Sequence, residues 1–239
     1  ALPIWVYVNR LSVVIMHTLD VSNLYLEYGF NRVLWDACLH CETGEVVGIL
    51  GRNGGGKSCL MKVIYGELRL KDQYVAIDGK ALLTRERRPE DMRYLLQQSF
   101  VLPGLSVKQV FDDFGVAFES FVEDFPDFAE TARKRMKAFS TGERRIIEVY
   151  AVLASDSKFC LLDEPFSFMM PLHVQKMKEV IQREKKRKGI VITDHYFEDV
   201  IDISDELFIL RSGKIWRVNG REDLELLGYI RNTNGVQDR

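Results

Sequence analysis

The sequence predicts an α/β fold: a mostly parallel sheet covered by helices, with an antiparallel β portion and a helical insert. Three observations carry this. Short apolar, β-branched-rich runs at Val46–Leu50, Phe159–Leu162 and Ile190–Thr193 read as buried strands. Segments with apolar residues at helical spacing lie between them, and alternation of strand and helix favours a parallel sheet. Each apolar run is followed by residues with chemistry: Gly51–Ser58, Asp163-Glu164 and His195. In such sheets ligands sit beyond the carboxyl ends of the strands, so these three ends converge if the strands share a sheet.

At 239 residues the chain fits one large domain or two closely packed subdomains. A formal net charge of −2 and the lack of a basic stripe give no reason to expect nucleic acid as a partner. The four cysteines, Cys38, Cys41, Cys59 and Cys160, have no disulfide-framework spacing and suit a reducing cytosol. No run approaches the roughly 20 apolar residues that span a bilayer, so any membrane role needs spans from a partner.

Taken in order, residues 1–15 read as a leader or upstream extension ahead of Met16, with a packed N-terminal strand as the second reading. Residues 19–42 alternate as strands around a turn at Tyr28-Gly29. Cys38 and Cys41, three apart on a strand, point to opposite faces and do not form a metal pair. Gln73–Ile77 enters a turn at Asp78-Gly79; Thr84–Asp91 is a charged connection; Met92–Leu96 is a short strand. Phe111, Phe114, Phe118, Phe121 and Phe125 recur at steps of three and four, which predicts one amphipathic helix ending at Pro126, its rings forming core rather than a docking face. A second helix follows Ser140–Glu143, and a third runs from about Leu172 to Lys188, with a basic tail, Arg183–Lys188, read as a solvated helix end. Leu207–Leu210 and Ile215–Val218 form a hairpin about Arg211–Lys214.

The glycine loop carries the clearest chemistry. Gly51-Arg52-Asn53-Gly54-Gly55-Gly56-Lys57-Ser58 has the spacing G-x-x-x-x-G-K-S between a strand and a helix. Glycines let backbone N–H groups converge on phosphate oxygens, and the helix N-terminus adds partial positive charge. Lys57 is placed to reach the β- and γ-phosphates and the Ser58 hydroxyl to ligate Mg²⁺. Far downstream, Asp163 is the expected Mg²⁺ carboxylate and Glu164 the group that orients or deprotonates an attacking water. His195 is the expected donor to the γ-phosphate or that water, an assignment that depends on the other groups.

With these motifs in this order, the chain resembles the ATP-binding-cassette (ABC) ATPases of transporters from about Leu19 to Gly220. The resemblance implies a P-loop NTPase core, residues 16–239 forming a single ABC ATPase domain. Residues 16–97 and 155–239 would be the core plus β subdomain, and 98–154 the helical subdomain. It implies ATP and Mg²⁺ as cofactors. Tyr28 takes the place of the aromatic that stacks on adenine, Cys59 that of a residue meeting the α-phosphate, and Gln97 that of the glutamine sensing Mg²⁺ and γ-phosphate. Phe139–Glu143 resembles the signature sequence, so that Ser140, Thr141, Gly142 and Glu143 would contact nucleotide bound to a second subunit. Implied partners are that second ABC ATPase, as homo- or heterodimer, and transmembrane permease subunits. The implied location is cytoplasmic and peripheral, on the inner face of the cell membrane. The words EPF, ITDH and GERR are most similar to the lipopolysaccharide-export and branched-chain amino-acid importer ATPases.

Three departures stand out. Thr141 replaces the signature's first glycine, Cys59 replaces a threonine, and Met170 stands where the family usually has an aspartate that couples the two sites. Thr141 and Met170 leave open a nucleotide-binding regulatory subunit with little turnover. A translation or DNA-maintenance protein would bring tandem cassettes or long insertions, and a small-molecule kinase would not explain FSTGE or ITDH.

Overall fold

The computed structural model describes residues 15–82, 88–226 and 229. Residues 1–14 of the 1–15 leader and residues 84–87 of the charged connection lie outside the described residues. The chain opens with a long antiparallel hairpin, β1 (Thr18–Tyr28) and β2 (Asn31–Glu42), turning at Gly29-Phe30. Irregularities in its register near Asn23 and Asp36, both at positive φ, twist the ribbon. β3 (Val46–Leu50) leads into the glycine loop and α1 (Lys57–Tyr65). β4 (Tyr74–Ile77) and the short β5 (Lys80–Ala81) return to β1, giving an antiparallel sheet in the order β2-β1-β4-β5. β6 (Met92–Leu95) then begins the helical stretch α2 (Val107–Phe114), α3 (Phe118–Asp124) and α4 (Thr141–Ala154). β7 (Phe159–Asp163), α5 (Pro171–Glu184), β8 (Gly189–Thr193), α6 (Phe197–Ile203), the hairpin β9 (Glu206–Arg211) and β10 (Lys214–Val218), and α7 (Arg221–Leu226) complete the path.

The second sheet has the order β10-β9-β3-β8-β7-β6, parallel except where β10 pairs antiparallel with β9. Its central strands are apolar throughout because both faces are covered. Val46, Leu50, Leu162 and Ile192 enter the core shared with α4, α5 and α6. Val47, Ile49, Leu161 and Val191 enter the core shared with α1 and the hairpin sheet. Alternate side chains of one strand therefore serve two cores. Cys38 is exposed and Cys41 buried, as opposite faces require.

The phenylalanine stripe does not form one helix. Gly115, in the left-handed conformation at φ 67°, caps α2, and α3 restarts three residues later. Gly115 accepts this geometry at no steric cost, which outweighs the continuous apolar spacing. The rings are core all the same: Phe111 and Phe121 are fully buried, and Phe121 packs against Phe111, Phe125, Phe128 and Tyr150. The basic tail also differs from expectation. α5 ends at Glu184, and Lys188 is wholly buried, donating to the carbonyls of Leu153 (2.7 Å) and Ser155 (2.5 Å). Arg187 donates to the Ala154 carbonyl at 2.6 Å. These cations satisfy the free carbonyls at the end of α4, not those of their own helix.

Candidate functional site

The glycine loop leaves the carboxyl end of β3 at the centre of the parallel sheet. Gly56 caps α1 at φ 101°, and a Cβ there would meet the Val33 side chain at 2.8 Å, so the position needs glycine twice over. Lys57 is buried to 6 % exposure, and its ammonium donates to the carbonyls of Gly51 (2.8 Å) and Arg52 (3.4 Å). Burial lowers its pKa, opposed by the nearby carboxylates of Glu164, Asp163 and Asp194.

A cleft of about 650 Å³ opens over this loop, lined by Tyr28, Asn31, Val33, Asn53–Cys59, Gln97, Glu164 and His195. That volume lies within the usual range of ligand pockets, ~300–1,000 Å³. The two sheets thus bring together groups that lie up to 167 positions apart in sequence (Tyr28 to His195). Tyr28 stands at one rim on the hairpin, half exposed. Arg52 is exposed, and Gly51 and Arg52 contribute the carbonyls that hold Lys57.

Asp163 lies below the cleft at the end of β7, 1 % exposed. Its Oδ2 accepts from the Tyr94 hydroxyl at 3.2 Å, while Oδ1 has no protein partner. Desolvation raises its pKa; the Ser58 and Tyr94 side chains act the other way. Glu164 follows at φ 51°, an uncommon conformation for a residue with a side chain. Its Oε2 lies 3.6 Å from His195 Nδ1, and Ser167 Oγ donates to it at 3.5 Å. His195 Nδ1 is also 3.2 Å from Asp194 Oδ1. Asp194 is wholly buried, its carboxylate accepting the N–H groups of Phe166 (3.0 Å) and Tyr196 (3.0 Å). It thereby ties the loop after Glu164 to the loop carrying His195.

Ser140–Glu143 do not line this cleft. They form the first turn of α4, where Ser140 Oγ accepts from the Glu143 N–H (3.3 Å) and Glu143 Oε2 accepts from the Ser140 N–H (2.7 Å). This reciprocal capping box was legible as S-x-x-E but was not read from the sequence. Sequence reasoning also missed Tyr94, Asp194, Arg145 and Tyr229. The hydroxyl of Tyr229 lies 3.3 Å from both the N and O of Gly51. Arg145 had a signal, a Glu at i+3 on a helix face, but its targets are backbone carbonyls that no motif marks.

Among the described residues no three His, Cys, Asp or Glu side chains converge as a metal site. What fits Mg²⁺ is sparser: the orphaned Asp163 Oδ1 close to Ser58, with Gln97 across the cleft. So few protein oxygens suit an ion that keeps water and phosphate oxygens in its shell.

A family model described as ABC transporter matches residues 34–167, more than half of the chain. The chain belongs to the ABC transporter family. Relatives of this ABC chain include the lipopolysaccharide export system ATP-binding protein LptB of Haemophilus influenzae, 30% identical over 219 residues, covering 84% of this chain and 89% of that protein. LptB of Escherichia coli is 30% identical over 217 residues with the same coverage. A probable ABC transporter ATP-binding protein of Azorhizobium caulinodans is 30% identical over 216 residues, covering 83% and 75%. Among solved structures, an ATP-binding subunit of an ABC transporter superposes with a TM-score of 0.74 at 21% identity, over 89% of this chain and 94% of that one. A nucleotide-free ATP-binding cassette gives 0.72 at 20% identity, over 90% and 96%. These structures establish the ABC fold for this chain. No helix among the described residues is long and apolar enough to cross a membrane.

Proposed function

We propose that this ABC chain is the ATP-binding and ATP-hydrolysing subunit of a membrane transporter, binding ATP with Mg²⁺ in the cleft above the glycine loop. The observation that carries this is the convergence of Lys57, Ser58, Gln97, Glu164 and His195 on one cleft from separate strand ends. The names of the LptB relatives, ATP-binding proteins of an export system, favour transport over other cassette roles.

Each residue then has a task. The backbone N–H groups of the glycine loop cradle the phosphates. Lys57 exchanges its Gly51 carbonyl for β- and γ-phosphate oxygens. Tyr28 stacks on the base from the rim, and Cys59 lies beside the α-phosphate. Asp163, Ser58 and Gln97 would hold Mg²⁺, which would neutralise charge on the phosphate oxygens. Glu164 orients and deprotonates the attacking water, and His195, steadied by Asp194, donates to the γ-phosphate.

The four residues Ser140–Glu143 stand outside their own cleft, at a helix N-terminus with exposed Ser140 and Thr141. This supports a head-to-tail pairing in which they complete the site of a second ABC subunit. Permease subunits would supply the membrane spans and place the pair on the inner face of the membrane. Residues 98–154 would form the helical subdomain that meets them, and 16–97 with 155–239 the core and β subdomain. A weakly hydrolysing regulatory subunit is the second reading, favoured by Met170, which is 61% exposed and offers no carboxylate to a partner.

Equilibrium binding of a fluorescent ATP analogue tests the cleft. Lys57→Ala is expected to weaken binding by more than about tenfold, since the buried ammonium makes charge-assisted bonds worth ~1.5–3 kcal/mol each. Unchanged affinity would place the nucleotide elsewhere.

A further inference from the structure

Residues 142, 145 and 148 of α4 lie three apart on one helical stripe, and each touches a segment bordering the chain's own cleft. Gly142 packs so closely on Phe168 that a Cβ there would stand 2.3 Å from the Phe168 carbonyl oxygen. Arg145, buried to 4% exposure, directs its guanidinium at backbone. One nitrogen donates to the Leu96 carbonyl at 2.7 Å; the other donates to the carbonyls of Asp163 (2.6 Å) and Glu164 (2.9 Å). Glu148 is wholly buried, accepts from the Ser99 hydroxyl at 2.5 Å and lies 3.9 Å from Arg145.

The Glu164 bond matters most. A left-handed backbone at a residue with a side chain is strained and persists only where its surroundings enforce it. Three bonds hold it at Glu164: its N–H donates to Thr193 O at 2.7 Å, and its carbonyl accepts from the Ser167 N–H at 3.3 Å and, more closely, from Arg145 at 2.9 Å. The same guanidinium holds Leu96, the residue before Gln97. A planar fork reaches carbonyls on separate segments from two nitrogens, whereas an ammonium offers its donors from a single point.

We propose that Arg145 is a positioning residue for hydrolysis: from α4 it fixes the turn that aims the Glu164 carboxylate and ties that turn to the segment carrying Gln97. The proposal rests on the hydrolytic reading above. Because the N-terminus of α4 carries Ser140–Glu143, any shift of this helix on meeting a second subunit moves Glu164 and Gln97 together.

The test compares phosphate release and ATP-analogue affinity for wild type, Arg145→Met, Arg145→Lys, Glu148→Gln and Glu164→Gln. Misplacing a reacting group by about 1 Å costs on the order of 10²-fold, so Arg145→Met is expected to lose roughly 10–100-fold in kcat with KM within about twofold of wild type. Arg145→Lys should recover part of the loss. Glu148→Gln, which keeps an acceptor for Ser99, should fall between wild type and Arg145→Met, and carries the test if Arg145→Met does not fold. Wild-type kcat in Arg145→Met, or parallel loss of kcat and nucleotide affinity, would overturn the positioning role. Wild-type turnover no faster than Glu164→Gln would instead remove the hydrolytic reading, and the proposal with it.

Discussion

Asp163 shows at the scale of one residue what a buried carboxylate costs the fold. Its carboxylate is buried with one oxygen unpartnered, and desolvation raises its pKa. A carboxylate whose folded pKa is raised binds its proton more tightly in the fold, so its contribution to stability is lost as pH rises from the ordinary carboxylate value through the raised one. At neutral pH the ionised group is a cost that an isosteric amide removes. Asp163→Asn is expected to melt higher than wild type at pH 7, by about 1 kcal/mol or roughly 2–4 °C, with the gain shrinking as pH falls and Asp163 takes up its proton. Calorimetric melts of both proteins across that range check it; a variant that melts lower at pH 7 would mean that Oδ1 is not the strained atom. Lys57 shares this character: its ammonium is buried, held by loop carbonyls, and its pKa is lowered by burial.

At the scale of elements, the site depends on where strands end and helices begin. Gly142 illustrates how tightly the first turn of α4 meets the turn after Glu164. Gly142→Ala would drive a Cβ into the Phe168 carbonyl, a backbone atom that moves only with its loop. The expected destabilisation is about 1–3 kcal/mol, typical of overpacking, read as a lowered melting temperature. An unchanged melt would show that the 166–170 loop yields freely. The elements themselves were largely legible. Val46–Leu50, Phe159–Leu162 and Ile190–Thr193 are apolar on consecutive residues because both faces are covered, and that shows in one dimension. The break at Gly115 was not legible: the five phenylalanines keep helical spacing across it, and a single glycine's left-handed turn decided the outcome. Short α6 and α7 gave too few apolar repeats to detect. In the site, glycine, lysine and carboxylate positions were readable because phosphate chemistry restricts residue type. Arg145 and Asp194 act on backbone groups, and backbone carries no sequence signature.

For the whole molecule, the two sheets share an apolar core, and a buried charge adds a link between the parallel sheet and α4. Lys188 joins the start of β8 to the end of α4, and burial pushes its pKa down to about 8. A lysine whose folded pKa lies below its unfolded value binds fewer protons in the fold, so stability rises with pH between about 8 and the ordinary lysine value. Wild type is expected to gain melting temperature relative to Lys188→Met across that interval, and a difference that stays flat would show that the three oxygen partners keep the ammonium charged. The larger architecture places the glycine loop, Glu164 and His195 in one cleft and leaves Ser140 and Thr141 exposed outside it. The central claim is that this cleft hydrolyses ATP through Glu164. Phosphate release by wild type and by Glu164→Gln, each with saturating ATP and Mg²⁺, tests it most directly. The expected result is turnover in wild type at least about tenfold above the variant, with both proteins binding ATP. Equal rates, with ATP bound in both, would contradict it.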